Sequence, residues 1–320
     1  MSFWATLPQP ILGLAPMDGV TDAAFRRVVA SQGRPDITFT EFTNVNEICR
    51  GPDHLLDSLI YSEAERPIVA QLYGKDPDQF YRAAQVVWDL GCDGLDMSMG
   101  CPSKSVAASG SGAALIKTPD LAHAIVRAAR QGLEDWAGGQ SIHSQGFKPS
   151  RIEFIHTLNH SRSGVPVVPR RLLPLSIKTR LGFDCVVVER WVEHLLEARP
   201  AAITLHGRTL QQMYRGAADW SAIAEAAKLA HGTGTLMLGN GDLNTLVDAI
   251  RRAAESKVQG VLVGRGTLGS PWFFREKEQA RRAFSERDDL PTLPAAAWEP
   301  QVSVSHRMQV MLDHARQYEA

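Results

Sequence analysis

The residue best placed for chemistry is a cysteine in the run Asp96–Pro102, which reads DMSMGCP. The run comes where a short apolar strand is expected to give way to a loop. Gly100 lets the backbone turn sharply, and Pro102 prevents further strand pairing. The active site of an α/β barrel lies at the carboxyl ends of its strands, so a thiol at such an end is well placed for catalysis. A packed, inert thiol is the alternative interpretation of Cys101.

Polar groups also follow other predicted strands at equivalent points. A single group has an ordinary explanation, since an aspartate such as Asp242 can simply cap a helix. Six groups at one end of a barrel favour a functional site. They are Ala15-Pro16-Met17-Asp18-Gly19, Gln71, Lys178-Thr179-Arg180, His206-Gly207-Arg208, Asn240-Gly241-Asp242 and Gly264-Arg265-Gly266.

The two glycine-rich groups follow the seventh and eighth predicted strands, the usual phosphate-binding place of a TIM barrel. Backbone N–H groups approach a phosphate closely only where side chains are small, and Arg265 adds a charge-assisted hydrogen bond. A phosphorylated cofactor is therefore expected there. Lys178 and Gln71 would face its ring system, and a cation beside a flavin ring stabilises the anionic reduced form.

The elements that position these groups alternate between short apolar strands and amphipathic helices. Eight strands are predicted: Ile11–Ala15, Ile37–Phe42, Ile68–Leu72, Gly94–Met97, Leu175–Thr179, Ala202–His206, Leu236–Asn240 and Gly260–Val263. Predicted helices between them include Pro77–Leu90, Asp120–Arg130, Val187–Ala198 and Leu243–Ala254. Such alternation implies parallel strands, and eight units close into an α/β fold of the TIM (β/α)8 barrel type. A doubly wound open sheet is the alternative, but no G-x-G-x-x-G follows the first strand.

Two segments do not fit the repeat within the predicted barrel domain, residues 1–270. Residues 136–173 read as an insertion, either a solvated loop or a basic arm that contacts phosphates. Its charged residues are Lys148, Arg151, Arg162, Arg170 and Arg171 against the single acid Glu153. Residues 271–320 are predicted to form a small C-terminal helical domain, short or incomplete, with helices at Phe273–Phe284 and Val302–Tyr318.

Composition is that of a soluble globular protein: 320 residues, 44% hydrophobic and 22% charged. No apolar run approaches the roughly 20 residues that span a bilayer, and the N-terminus lacks a signal-peptide pattern, so a cytoplasmic location is expected. The net charge of -1 means that any nucleic-acid binding needs a local basic patch. Neither the four separated cysteines nor His143, His156 and His160 match a common zinc pattern, and no metal is expected.

Taken together, the motifs resemble the tRNA-dihydrouridine synthases, flavin-dependent enzymes that reduce uridine in tRNA. The resemblance runs in order from the first strand to the eighth. It rests on Ala15–Asp22, Gln71–Gly74, Met99–Pro102 with Gly112–Leu115, Lys178–Arg180, His206–Thr209, Asn240–Asp242, and Gly264–Gly266 with Pro271-Trp272.

The resemblance implies FMN at the barrel rim, NADPH as reductant, and a helical domain that helps hold tRNA. Cys101 is then the proton donor to uracil C5 after hydride transfer to C6, with His206 and Lys178 as further catalytic groups. The implied FMN contacts are Pro16, Met17, Asp18, Gln71, Lys178, His206, Asn240, Gly241, Asp242, Gly264 and Arg265. The implied substrate contacts are Ser98, Arg180 and Arg208. The family usually has asparagine where this chain has Ser98. A monomer is expected.

Three alternatives to this function stay open. One is an FMN barrel that acts on a free pyrimidine or another small unsaturated carbonyl compound. Another is a dihydrouridine synthase that acts on ribosomal RNA. The last is an RNA-binding protein that has lost catalysis, which Ser98 and the short helical region suggest. The sequence does not indicate which uridine is modified.

Overall fold

A computed structural model describes residues 2–140, 142–164, 169–285 and 298–318. Eight parallel strands form one curved sheet in the order β1-β8-β7-β6-β5-β4-β3-β2. The strands are β1 Ile11–Leu14, β2 Thr38–Asn44, β3 Ile68–Tyr73, β4 Gly94–Met99, β5 Leu175–Arg180, β6 Ala202–His206, β7 Leu236–Asn240 and β8 Gly260–Val263.

The sheet closes between β1 and the residues just before β2. The N–H of Leu14 donates to the carbonyl of Ile37 at 3.0 Å, and the N–H of Asp36 donates to the carbonyl of Leu12 at 2.9 Å. The Asp36 carboxylate also accepts from the N–H of Leu12 at 2.7 Å. The predicted TIM barrel is therefore confirmed, with the seam completed by hydrogen bonds outside the regular ladder.

Helices cover the outer face of the barrel. The α-helices are α1 Ala23–Gln32, α2 Val45–Arg50, α3 Pro77–Asp89, α4 Lys104–Ala108, α5 Pro119–Ala137, α6 Pro149–Ser163, α7 Val188–Glu197, α8 Trp220–Ala230, α9 Leu246–Ser256, α10 Lys277–Ser285 and α11 Val304–Gln317. Short 3₁₀ helices span Phe3–Thr6, Asp53–Leu59, Glu63–Glu65, Gly112–Lys117, Ile142–Gln145 and Arg265–Thr267.

Strands β1 and β8 are buried on both faces and are apolar throughout, as expected for strands inside a parallel barrel. One core cluster lies inside the barrel and includes Ile11, Phe39 and Leu262. A larger cluster lies between the sheet and the helices. There α3 packs closely on α5, because a Cβ on Gly132 would lie only 2.2 Å from the carbonyl oxygen of Tyr81.

All eight predicted strands are present, with small differences in their bounds. The fourth strand continues two residues beyond the predicted end, because Ser98 and Met99 pair with Lys178 and Thr179 of β5. The second strand begins one residue later and runs on to Asn44.

The solvated loop predicted for residues 136–173 is wrong for much of the segment. Helix α6 crosses it and packs Ile152 and Ile155 into the core. Asn159 donates from Nδ2 to the carbonyl of Asp89 at 2.6 Å, a polar anchor that an apolar repeat cannot reveal. Residues 141 and 165–168 of this segment lie outside the described ranges.

The arginines of the insertion bind carboxylates of the protein itself. Arg151 places its Nε 2.6 Å from Asp53, and Arg162 places its Nε 3.0 Å from Glu63. These two side chains are nearly buried. Arg151 and Arg162 are therefore engaged in internal ion pairs and are not available to a basic arm that contacts phosphates.

The C-terminal helices differ from prediction in their starting points. The chain turns through Phe273 and Phe274, both buried, so α10 begins only at Lys277. Helix α11 contacts α1, where His306 Nε2 lies 2.9 Å from Gln32 Oε1. Residues 286–297, between α10 and α11, lie outside the described ranges. None of the described helices combines the length and apolar character needed to cross a membrane.

Candidate active site

A cavity of about 560 Å³ opens at the carboxyl ends of the barrel strands. Loops after several strands contribute to it, as expected for a TIM barrel. Nearly all of the predicted site residues line it: Pro16, Met17, Asp18, Gln71, Ser98, Cys101, Lys178, Arg180, His206, Asn240, Gly241, Asp242, Gly264 and Arg265. Residues not anticipated from the sequence also line it, among them Val20, Phe42, Met213, Tyr214 and Asn244.

Cys101 stands on the loop after β4 and is 8% exposed. The loop follows β5 closely, since a Cβ on Gly100 would lie 3.1 Å from the backbone of Thr179. Gly112 backs the cysteine from behind with a φ of +60°, and a Cβ there would lie 3.2 Å from that of Cys101. Burial raises the pKa of the Cys101 thiol above its usual value, so the group stays protonated at neutral pH.

Lys178 projects from β5 at the level of Ser98, its register partner on β4. Removal of water from the ammonium group, reinforced by repulsion from Arg180, lowers the pKa of Lys178 to about 8. The side chain is therefore mostly cationic at neutral pH. It loses its charge far more readily than an exposed lysine does.

A buried carboxylate, Asp96, lies beneath this level of the barrel. Its Oδ2 accepts from Gln71 Nε2 at 2.7 Å, and its Oδ1 accepts from Ser176 Oγ at 2.6 Å. Burial raises the pKa of Asp96 to about 6, although both hydrogen bonds oppose the shift. Sequence reasoning assigned no role to Asp96. The available signal was a lone carboxylate within an otherwise uncharged strand.

His206 at the end of β6 is held as a neutral imidazole. Burial, reinforced by the positive charge of Arg180, lowers the pKa of His206 to about 2. Arg208 Nη1 lies 3.5 Å from His206 Nε2, and an arginine can only donate. Nε2 is therefore assigned as the acceptor, which leaves the ring proton on Nδ1.

Arg208, predicted to contact substrate, does not line the cavity. Its Nη2 donates to both carboxylate oxygens of Asp242, at 2.8 and 2.6 Å, and to the carbonyl of Gly216 at 2.6 Å. Burial opposes ionisation of Asp242, yet the hydrogen bond from Arg208 leaves its pKa below the usual value. A buried guanidinium needs such a partner, and the ion pair with Asp242 holds the Arg208 side chain away from the cavity.

Arg180 lines the cavity, but its guanidinium is largely committed to backbone carbonyls. Nε donates to Gly100 at 2.7 Å, while Nη1 lies 3.1 Å from the carbonyl of Thr209 and 3.3 Å from that of Met213. These bonds connect the cysteine loop to the loop after β6. A substrate contact by Arg180 stays a prediction.

The glycine-rich ends of β7 and β8 face the cavity side by side. Gly241 and Asp242 have φ angles of 130° and 52°, values that favour glycine and require a sharp turn. Arg265 is more than half exposed, donates to Asp242 Oδ1 at 3.1 Å, and lies over the ring of Tyr214. This end of the cavity therefore offers small residues, backbone N–H groups and one accessible guanidinium.

The fold and the site together define a barrel with a thiol, an ammonium group and a neutral imidazole on one rim. The family model described as "Dihydrouridine synthase (Dus)" matches residues 13–135 and 162–319. The unmatched residues between these ranges lie within the predicted insertion. The chain belongs to the dihydrouridine synthase family.

Curated relatives agree with this assignment. The chain is 35% identical over 294 residues to the "Probable tRNA-dihydrouridine synthase 2" of Bacillus subtilis (strain 168), covering 90% of this chain and 78% of that protein. It is 33% identical over 294 residues to the "Probable tRNA-dihydrouridine synthase" of Staphylococcus aureus (strain COL), covering 90% of this chain and 77% of that protein.

Solved structures of low identity share the fold. DHODH from Eimeria tenella in complex with ferulenol aligns with a TM-score of 0.54 at 13% identity, covering 86% of this chain and 82% of that chain. Histamine dehydrogenase from Rhizobium sp. 4-9 aligns with a TM-score of 0.51 at 13% identity, covering 85% of this chain and 46% of that chain. These likenesses support the barrel architecture alone.

Proposed function

We propose that this protein is an FMN-dependent tRNA-dihydrouridine synthase that reduces uridine with NADPH as electron donor. One observation carries the proposal beyond the family assignment. The protonated thiol of Cys101 shares a single cavity with Lys178, Gln71 and His206, the groups that a flavin and a uracil ring require.

The donor set of the cavity fits FMN. Gly241, Gly264 and Arg265 would hold the phosphate, because small residues let backbone N–H groups approach it and the guanidinium pairs with its charge. Lys178 and Gln71 would hold the ring system with a cation and an amide. When bound, FMN supplies a hydride to C6 of the uracil ring.

Cys101 would complete the reduction by giving its thiol proton to C5 of the uracil. A general acid must hold its proton at the working pH, and the raised pKa of this thiol meets that condition. His206, held neutral, offers a hydrogen bond without a competing charge. The target base must leave its stack to reach the cavity, which costs least for an unstacked loop uridine.

The proposed function also bears on the domain organisation, the oligomeric state and the location of the protein. We propose a barrel unit over residues 1–270, with the insertion at 136–173, and a helical region over 271–320 that helps to hold tRNA. The protein would act as a monomer. A tRNA substrate makes the cytoplasm the expected place of action. Lys148, a basic residue of the insertion that forms no ion pair with the described residues, would contact the phosphates of the tRNA.

The test is turnover with defined substrates. Purified protein is incubated with NADPH and unmodified tRNA, and dihydrouridine is quantified by mass spectrometry of the digested nucleosides. Parallel reactions contain ribosomal RNA or free uridine. Dihydrouridine in tRNA alone supports the proposal. Turnover only of free uridine, or only of ribosomal RNA, would replace it with the corresponding alternative function, and a colourless RNA-binding protein would exclude an FMN enzyme.

A further inference from the structure

A row of three polar side chains crosses adjacent strands one level below Lys178. Gln71 on β3 is the register partner of Asp96 on β4, and Asp96 is the register partner of Ser176 on β5. Lys178 lies two residues beyond Ser176, on the same face of β5. All three members of the row are at most 2% exposed.

The hydrogen bonds in this row have only one consistent direction when Asp96 is ionised. A carboxylate accepts only, so Gln71 must offer its amide nitrogen and Ser176 its hydroxyl hydrogen. The two carboxylate oxygens are thereby used by different partners. The Gln71 side chain, which lines the cavity, keeps its Oε1 as the acceptor for another group.

The same carboxylate also acts on the lysine above it. Its negative charge raises the pKa of Lys178, whereas loss of water and the charge of Arg180 lower it. Asp96 therefore favours the cationic form of the one ammonium group expected to face the cofactor ring. Gln71 and Lys178, the two expected contacts to the cofactor ring, therefore both depend on Asp96, which does not itself line the cavity.

We propose that Asp96 is the positioning residue of the cofactor site, which fixes the orientation of the Gln71 amide and supports the charge of Lys178. This inference rests on the proposed function. It specifies the ligand edge that the site accepts: a ring N–H donor opposite Gln71 Oε1, next to acceptors that face a cation. The pyrimidine part of an oxidised isoalloxazine carries this combination.

The central variant is Asp96→Asn, which keeps the shape of the side chain. If the new amide oxygen accepts from Ser176, its NH₂ group faces Gln71, and the Gln71 amide must rotate and turn its nitrogen toward the ligand. In the other orientation the NH₂ group donates to Ser176 Oγ and Gln71 keeps its direction, so the loss of the negative charge near Lys178 is the effect that both orientations share. Asp89→Asn is the matched control, because Asp89 is also a buried carboxylate but lies at the end of α3, outside the cavity.

The measurements are the dissociation constant for FMN, from quenching of flavin fluorescence by apoprotein, and the midpoint potential of the bound flavin. We expect Asp96→Asn to weaken FMN binding at least tenfold and to shift the potential to a less negative value, because a buried negative charge near the reduced flavin has gone. Asp89→Asn should leave both unchanged. In a double-mutant cycle, Gln71→Ala and Asp96→Asn should be strongly non-additive.

Ser176→Ala guards against a folding defect in the central variant. It keeps the carboxylate and the Gln71 hydrogen bond but frees Asp96 to move, so a smaller loss of FMN affinity is expected. Wild-type binding and potential in both Asp96→Asn and Ser176→Ala would overturn the inference and leave the proposed function intact. Failure of the wild-type protein itself to bind FMN would overturn the proposed function, and the inference with it.

Discussion

Replacing Glu65 by glutamine should destabilise the barrel strongly, although the two side chains have the same shape. Glu65 and Arg26 form an ion pair in which neither side chain is exposed, with Nε 2.7 Å from Oε2. The other carboxylate oxygen, Oε1, accepts from the N–H of Ser62 at 2.7 Å. In glutamine one of these oxygens becomes an NH₂ group, which would face an N–H donor in either orientation.

The expected loss is the cost of a buried, uncompensated guanidinium. Arg26 keeps its hydrogen bonds to the carbonyls of Thr21 and Ile60, but it loses its counter-charge. Removing one partner of a buried pair typically costs ~3–5 kcal/mol. A single lost hydrogen bond to a charged group would account for about 1.5–3 kcal/mol of that.

The assay is urea unfolding of the apoprotein. The free energy of unfolding of each variant is compared with that of the wild-type protein, provided that the m-value, its dependence on urea concentration, is the same. Glu225→Gln is the matched control, because Glu225 is 50% exposed and pairs with Lys228, which is 70% exposed. Its loss should stay below about 1 kcal/mol. A loss of less than about 1 kcal/mol for Glu65→Gln, equal to the control, would refute the reasoning.

Three further predictions concern the cofactor and substrate sites. Arg265→Ala should raise the dissociation constant for FMN about tenfold, as expected for the loss of one charge-assisted phosphate contact. Arg252→Ala is the control, because Arg252 is an exposed residue of α9. Equal FMN affinities of the two variants in fluorescence titrations would remove Arg265 from the phosphate site. The midpoint potential of the bound flavin should fall more steeply with pH above about 8, where Lys178 loses its proton, and Lys178→Met should abolish that break; a break that persists in the variant would assign it to another group. Ser98→Asn should raise kcat/KM for tRNA several-fold, because an amide carries its donor and its acceptor on two separate atoms, whereas the shorter Ser98 hydroxyl carries both on one. An unchanged or lower value would show that Ser98 already suits this site.

The strands were predictable because their residues are constrained from two sides. Runs such as Gly260–Val263 are apolar where both faces are buried, and glycine marks their ends. The end of β4 was less predictable. Ser98 lies within the strand but faces the cavity, so a polar residue there signals a site and not the end of the strand.

Side-chain direction at the rim was the main limit of sequence reasoning about the site. Arg208 and His206 are two residues apart on the same strand end, yet only His206 lines the cavity. The ion pair with Asp242 decides the direction of Arg208, and its partner lies 34 residues away in the chain. Asp96 was overlooked for a related reason, because its role depends on partners from two neighbouring strands.

The insertion shows a different limit. Helix α6 is held by polar anchors such as Arg151 and Asn159 as well as by its apolar residues. Periodicity of apolar residues, the principal signal for a helix, is therefore weak there. Composition alone suggested a solvated loop, since the segment is rich in glycine, serine and basic residues.

Cys101 is proposed as the proton donor, and a single-turnover experiment tests that role most directly. Flavin-loaded protein is reduced with NADPH, mixed anaerobically with unmodified tRNA, and followed by flavin absorbance. Cys101→Ala should be reduced by NADPH at the wild-type rate, because the thiol takes no part in that step. Its reoxidation by tRNA should be slower by about 10²–10⁴-fold, the usual contribution of a general acid.

Cys92→Ala serves as the control in the same experiment, because Cys92 is a buried thiol at the opposite end of β4. It should behave like the wild-type protein in both steps. Slow reoxidation confined to Cys101→Ala is the predicted result. Reoxidation of Cys101→Ala by tRNA at the wild-type rate would contradict the account.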